Sequence, residues 1–184
     1  MAIKKSKGKE WYTIVAPKFF GEKDIGKTLT ADPEKIVGRV VSLSAMDLID
    51  DLNKFHLKFM FRIVKVEGNN AFTEFKGSEC MQDFISRMVL RGNRRIDVVQ
   101  DIKMKDGVNV RVKVLATISK KATSSVEKSV RSLIHQLIKE DVERLTLEQL
   151  VKKIISNELR AKVLKESKSI YPIRNFEIRR TEIL

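Results

Sequence analysis

The stretch that decides the fold is IDVVQDIKMKDGVNVRVKVLATIS, residues 96–119. Apolar residues occupy almost every second position on both sides of Asp106-Gly107, which is the alternation of strands with one buried face. Asp-Gly is a two-residue hairpin signal of the type that needs positive φ. The stretch therefore predicts an antiparallel β-hairpin.

C-terminal to this hairpin, the apolar period changes from 2 to 3.6 residues. Ser124-x-x-Glu127 and Thr146-x-x-Gln149 are capping-box patterns, and each is followed by apolar residues at helical spacing. A third, short helix is predicted over about 157–166. Residues 170–184 are predicted to form a strand, which Pro172 places at a sheet edge.

The N-terminal part of the chain is predicted to be rich in strands. The fold class is therefore α+β: a mainly antiparallel β-barrel or bent sheet with helices packed at its side, a helical C-terminal part and a returning terminal strand. We expect a basic flexible arm (1–9) and one domain (10–184). That domain comprises a β-rich body (10–121), a helical part (122–169) and the returning strand (170–184). The earlier strands are expected over 11–15, 25–30, 36–43, 55–66 and 71–77, with a helix over 80–91.

The charge is large and unevenly distributed. The 184 residues carry 37 Lys and Arg against 24 Asp and Glu, a net charge of +13. Residues 31–82 have a net charge of −1, whereas residues 83–121 have a net charge of +6. An excess of this kind favours a polyanionic partner, and we expect the 31–82 stretch to be the least suited to RNA.

Enzymatic, metal and membrane patterns do not emerge from the sequence. Cys80 is the only cysteine, which excludes a disulfide scaffold, and its acidic neighbour does not favour a thiolate. His56 and His135 each stand alone, and no nucleophile elbow is present. No apolar run reaches the roughly 18 residues that span a bilayer. We therefore expect a cytoplasmic protein that is not an enzyme and carries no metal or cofactor.

The segment Gly21–Thr28 (GEKDIGKT) matches the phosphate-binding pattern GxxxxGK[ST]. A P-loop needs a preceding strand and a following helix. Here Phe19-Phe20 precedes, and β-leaning residues with Pro33 follow. An NTPase is thus a weak alternative, and we interpret the match as coincidental.

Basic residues in the arm, around the 80–91 helix and near both ends of the hairpin form the candidate contact surface. Arg87 and Arg91 are four apart and are expected to share a helix face, with Arg94 and Arg95 following in a loop. Arginine grips phosphate oxygens bidentately, and lysine acts as a point charge. Shape and phosphate recognition of folded RNA fits better than base readout. The predicted RNA-binding residues are Lys4, Lys5, Lys7, Lys9, Arg87, Arg91, Arg94, Arg95, Lys103, Lys105, Lys120 and Lys121.

Several motifs, in order along nearly the whole chain, resemble one known family. They are Lys9-Glu10-Trp11-Tyr12 with Ala16-Pro17, Phe20 and Ile25-Gly26-Lys27-Thr28-Leu29; Gly38-Arg39-Val40-Val41-Ser42-Leu43 with Asp47-Leu48; Lys58-Phe59, Arg62-Ile63 and Val66-Glu67-Gly68; Thr73-Glu74-Phe75-Lys76-Gly77; Asp106-Gly107; and Ser169-Ile170-Tyr171-Pro172-Ile173-Arg174-Asn175-Phe176. The chain resembles the archaeal and eukaryotic small-subunit ribosomal protein family S-three-a-e, or eukaryotic-type small-subunit protein one.

The resemblance implies a structural constituent of the small ribosomal subunit without a catalytic role. It implies a β-barrel body with peripheral helices, placed on the platform near the mRNA exit during translation. The implied partners are small-subunit rRNA, neighbouring ribosomal proteins and mRNA near the exit, with no membrane. The alternative is a basic protein-interaction or regulatory RNA-binding module that is not stably part of the ribosome.

Overall fold

The computed structural model describes residues 8–49 and 51–184. Contacts between Cα atoms divide the chain into two compact units, one ending at Gly77 and the other beginning at Ser78. Both units combine strands with helices, which confirms the predicted α+β class.

The first unit is built on five strands. They are β1 (Glu10–Val15), β2 (Asp24–Thr30), β3 (Val40–Ser44), β4 (Leu57–Glu67) and β5 (Asn70–Cys80), whose last residues belong to the second unit; a short helix, α1 (Ala45–Ile49), follows β3. The order is β2-β1-β5-β4-β3, and β1 pairs with β5 in parallel. The described strands of this unit therefore form a mixed, open sheet, not a closed antiparallel barrel.

Alternating residues of β4 supply the core of the first unit. Phe59, Phe61 and Ile63 are buried, as the alternation predicts. Phe20, in the short 3₁₀ turn Lys18–Phe20, packs its ring 5.4 Å from that of Phe59 and 5.5 Å from that of Phe61, measured between centroids. Phe75 of β5 completes the cluster. The aromatic rings thus fix the face of the sheet that is buried.

The strand predicted over 36–43 starts later than expected. A 3₁₀ turn occupies Pro33–Ile36, and β3 begins only at Val40. Gly38 adopts φ +89°, a left-handed conformation, and its N–H donates to the Ile63 carbonyl at 2.8 Å. The turn interrupts what looks in sequence like one β-branched run.

The second unit carries the hairpin. Its elements are α2 (Gln82–Met88), β6 (Asn93–Lys103), β7 (Asn109–Ser119), α3 (Ser124–Glu143), α4 (Leu147–Ser156), α5 (Glu158–Glu166) and β8 (Asn175–Ile183). β7 pairs antiparallel with β6 on one side and with β8 on the other. The returning strand is confirmed, but not at an edge: Ser78 N–H donates to Thr181 Oγ1 at 3.0 Å on the far side of β8. Pro172 precedes the strand.

Helices cover both faces of this sheet. Val130, Ile134, Ile138 and Val142 form one buried stripe of α3, which contacts β6. On the other face, Ile85 and Met88 of α2 pack with Cys80 and Leu115. Leu115 is consequently fully buried although it is on the strand face that carries charged residues further along.

Local turn and cap chemistry differs from the prediction in two places. The turn after β6 has three residues, since Met104 N–H donates to Val108 O at 2.9 Å and Gly107 N–H to Met104 O at 3.0 Å. Only Gly107, at φ +79°, has positive φ there, which is the geometry of a G1 bulge. The N-cap of α3 is Thr123, not Ser124. The capping box at Thr146 and Gln149 is confirmed.

Candidate nucleic-acid interface

The β6–β7 hairpin separates the predicted contact residues into two groups. The register runs from Asn93↔Ser119 to Lys103↔Asn109. Ten steps of about 3.3 Å place the two ends about 33 Å apart. Lys103 and Lys105 lie at the tip of the hairpin, whereas the predicted arginines and Lys120-Lys121 lie at its open end. The contact residues predicted in the hairpin region therefore lie on two separate surfaces.

A backbone hydrogen bond closes the open end. Lys120 N–H donates to Gly92 O at 3.0 Å, which joins the α2–β6 turn to the β7–α3 turn. Gly92 adopts φ +85°, a conformation that glycine favours. Arg91 therefore lies in a turn held against the turn that carries Lys120 and Lys121.

The prediction that Arg87 and Arg91 share a helix face is wrong. α2 ends at Met88, because Val89 adopts φ −92° and ψ 71°, outside the helical region. Arg87 is exposed in the last turn of the helix, and Arg91 is exposed beyond it. Arg87 and Arg91 therefore lie on different local structures, the end of α2 and the turn that follows it.

Arg94 and Arg95 lie in β6, not in a loop, and both already have carboxylate partners. Arg95 donates to Asp97 through Nε at 2.7 Å and Nη2 at 2.8 Å. These hydrogen bonds raise the pKa of Arg95. Arg94 Nη1 lies 3.5 Å from Glu127 Oε2. Of the four arginines predicted as a cluster, only Arg87 and Arg91 remain unpaired among the described residues.

Arg174 belongs to the open end although it was not predicted as a contact. Its N–H donates to Thr117 O at 2.8 Å, and its Nη1 donates to Asn93 Oδ1 at 2.7 Å. Arg174 is exposed, and among the described residues the one partner of its side chain is the neutral Asn93 amide, which leaves the positive charge uncompensated. The pairing of distant segments that places it here has no signal in local sequence.

We define the open-end cluster by shared properties: exposed cations at the open end of the hairpin, none with a carboxylate partner within the described part of the chain. Its members are Arg87, Arg91, Lys120, Lys121 and Arg174.

The tip of the hairpin is fixed to the start of α4. Leu147 N–H donates to Asp106 Oδ2 at 3.0 Å, and Lys105 N–H donates to Leu145 O at 3.3 Å. Lys103 and Lys105 are exposed and have no carboxylate partner in the described chain. Two further basic residues, Lys152 and Lys153, line a depression with Leu145 and one acidic residue, Glu158. The tip therefore presents a second basic surface.

Between the two ends, the outer face of the sheet is neutralised by ion pairs. Arg111 donates to Asp101 through Nε at 2.6 Å and Nη2 at 2.7 Å, which lowers the pKa of Asp101. Lys113 Nζ donates to Glu182 at 2.9 Å, and this hydrogen bond lowers the pKa of Glu182. Arg180 pairs with the same carboxylate at 2.6 Å. Arg111, Lys113 and Arg180 on this face are therefore paired with carboxylates.

Only the end of the predicted arm falls within the described residues. Lys4, Lys5 and Lys7 lie outside the described residues. Lys9 is exposed one residue before β1 and has no carboxylate partner in the described chain. The predicted contact role of these four lysines stays a prediction.

The groups considered for other chemistry are placed as follows. Burial, with Glu177 and Glu79 nearby, raises the pKa of the Cys80 thiol to about 12, so it is protonated and unreactive at neutral pH. Gly21–Thr28 runs through a turn into β2, which continues to Thr30, so the described residues after Lys27-Thr28 begin with strand and not with the α-helix that a P-loop needs. Within 8–49 and 51–184, no group of three His, Cys, Asp or Glu could hold a metal.

The described residues form a basic α+β protein, and the cations without carboxylate partners at both ends of its long hairpin suit a polyanionic partner. The model of the Ribosomal S3Ae family matches residues 2–184, and the chain belongs to that family.

Archaeal relatives support the same family assignment. The chain is 37% identical over 188 residues to small ribosomal subunit protein eS1 of Methanopyrus kandleri, covering 100% of this chain and 89% of the relative. It is 36% identical to the protein of the same name from Desulfurococcus amylolyticus, covering 98% and 84%. The eS1 protein of Methanothrix thermoacetophila is 37% identical, with 98% and 85% covered.

These matches confirm the family inferred from the ordered motifs. A ribosomal-protein family supports a structural role in the small subunit in translation, association with rRNA and other ribosomal proteins, and a cytoplasmic location. They also confirm that the chain is not an enzyme. Separately, no helix of the described residues is long and apolar enough to cross a membrane.

Proposed function

We propose that this chain is a structural component of the small ribosomal subunit that binds rRNA on the platform near the mRNA exit. The observation that carries the contact surface is the open-end cluster: five exposed cations on the end of α2, two turns and a returning segment, without carboxylate partners among the described residues. The platform position and the mRNA contact rest on the family resemblance.

The chemistry of the cluster suits phosphate oxygens. Arg87, Arg91 and Arg174 offer planar guanidinium groups that donate two parallel hydrogen bonds to phosphate. Lys120 and Lys121 add point charges beside them. Unpaired cations exchange bound water and counterions for phosphate, whereas paired ones must first break an ion pair.

The spacing of the basic surfaces favours folded RNA. The open-end cluster and the tip lysines, Lys103 and Lys105, are separated by about 33 Å along the hairpin. Phosphates that contact both must lie on backbone segments that far apart. A helical or folded RNA presents such segments in a fixed geometry, so recognition by shape is expected. The arm lysines, Lys4, Lys5, Lys7 and Lys9, would extend this contact.

Gradient sedimentation of the tagged full chain tests the assignment. We expect the chain to co-sediment with small subunits, and Arg91→Glu with Lys120→Glu to lower the fraction bound. Recovery of the wild-type chain only at the top of the gradient would contradict the proposal. A protein-rich pull-down that RNase does not change would favour the interaction-module alternative.

A further inference from the structure

A second surface, in the first unit, carries an exposed tryptophan. Trp11 lies near the start of β1 with 61% of its surface exposed. A side chain of this size is highly buried on average in folded proteins, so an exposed indole is informative. Its neighbours on the strand, Tyr12 and Ile14, are buried at 6% and 3% exposure. Burial of these neighbours shows that the other face of β1 supplies the core.

The strand register defines what surrounds the indole. Trp11 pairs with Leu29 of β2, and Thr13 pairs with Lys27. Alternate strand residues point to the same face, so Trp11, Leu29 and Lys27 share one face. Leu29 is 39% exposed, and β2 is at the end of the strand order. The indole and Leu29 form an apolar surface on the open side of the sheet.

Cations flank this surface. Lys27 and Lys9 are both exposed, and neither has a carboxylate partner among the described residues. Within the same residues, the indole N–H has no acceptor and the ring has no aromatic partner. An aromatic ring beside unpaired cations combines base stacking with attraction for the phosphate backbone. One indole and one leucine also form a much smaller surface than the roughly 800 Å² per partner of a stable protein interface.

We propose that Trp11, Leu29 and Lys27 form a stacking site for an unpaired nucleobase of single-stranded RNA. The base would stack on the indole while Lys27 and Lys9 contact the adjacent phosphates. The site lies in the first unit and uses none of the open-end cluster. It therefore succeeds or fails separately from the proposed rRNA contact of the second unit.

The test uses the intrinsic fluorescence of the full chain, because Trp11 is its one tryptophan. We expect a single-stranded oligouridylate or oligoadenylate to quench the emission, and an abasic oligonucleotide of equal length and charge to leave it nearly unchanged. Equal quenching by the abasic oligonucleotide or by polyglutamate would overturn the proposal, since charge alone would then explain the signal.

Variants test the stacking independently of the fluorescence. By filter binding, Trp11→Ala should weaken single-stranded RNA binding about 5- to 150-fold, the range for loss of one stacked base. Trp11→Phe should retain most of the affinity. Circular dichroism checks that each variant is folded. Unchanged RNA binding by Trp11→Ala would overturn the proposal. If the same variant also lost incorporation into small subunits, the surface would be assigned to a protein neighbour.

A matched variant separates this site from the open-end cluster. Arg91→Gln with Lys120→Gln should weaken duplex RNA binding and leave quenching by single-stranded RNA unchanged. If the wild-type chain bound duplex RNA but single-stranded RNA did not quench its emission, the stacking site would be refuted and the proposed rRNA contact would remain intact. Ultraviolet crosslinking of Trp11 in translating small subunits, followed by RNA sequencing, distinguishes a ribosomal from a messenger base; both support stacking, and a crosslink to protein alone contradicts it.

Discussion

Charge pairing, and not the number of cations, should set the salt dependence of RNA binding. Two double variants separate the two quantities. The open-end variant is Arg91→Gln with Lys120→Gln, and the paired control is Arg95→Gln with Arg111→Gln. Each lowers the net charge of +13 by two. The control removes arginines that already donate two hydrogen bonds to Asp97 and Asp101.

The magnitude follows from the number of unpaired cations. If each of the five members of the open-end cluster neutralises one phosphate, log K falls with log salt at a slope of about −4.5, taking the duplex coefficient of roughly 0.9 per phosphate. Affinity then falls roughly 500-fold between 50 and 200 mM salt. The open-end variant keeps three contacts, with a slope of about −2.7 and a fall of roughly 40-fold.

The assay is binding of the full chain to a small-subunit rRNA fragment at several salt concentrations, by fluorescence anisotropy of labelled RNA. We expect the control slope to match that of the wild-type chain. If the slope of log K against log salt became equally shallow in both variants, the reasoning would be refuted, because net charge alone would then govern binding. Unchanged slopes in both would show that the open-end cluster does not contact phosphate.

Three further outcomes follow from local chemistry. Cys80, with its pKa raised to about 12, should resist iodoacetamide at pH 8 in the folded chain and react after denaturation, as mass spectrometry would show. Thr146→Ala removes the confirmed capping box and should lower the free energy of unfolding by about 1 kcal/mol in urea titrations, whereas Thr146→Ser should not. The lowered pKa of Glu182 stabilises the folded state above about pH 4.5 and loses this effect as pH falls through the folded pKa. Glu182→Gln should therefore flatten the acid loss of stability, measured by thermal melts from pH 3 to 6.

The elements with a strict apolar period were predicted well because burial of one face enforces that period. The β6–β7 hairpin, the stripe of α3 and the alternation in β4 are of this kind. Boundaries failed where the chain turns earlier or later than the pattern indicates. The turn that contains left-handed Gly38 delays β3, and α2 ends at Met88 because Val89 already lies outside the helical region. Local turn chemistry outweighs β-propensity at these points.

The sequence predicted which cations belong to the candidate interface better than it predicted which of them have carboxylate partners. The cations can be identified in the sequence, but their ion pairs depend on the register of the strands. Arg95 and Asp97 share a strand face at i and i+2, so a strand assignment there would have revealed the pair. Arg111 and Asp101 meet only across the hairpin, and Arg174 reaches Asn93 only because the chain returns beside β7. Such contacts can be predicted only when the order and pairing of the strands are known.

The paired face has a consequence for the proposed RNA contact. An arginine with two hydrogen bonds to a carboxylate gains little by moving to a phosphate, because it breaks as many charge-assisted bonds as it forms. The released carboxylate would then repel the same phosphate. Asp101 and Glu182 therefore make the middle of the sheet unfavourable for RNA, whereas the two ends offer cations that need no exchange. We infer that alternation of paired and unpaired charge along about 33 Å positions RNA at the two ends of the hairpin, which net charge alone would not do.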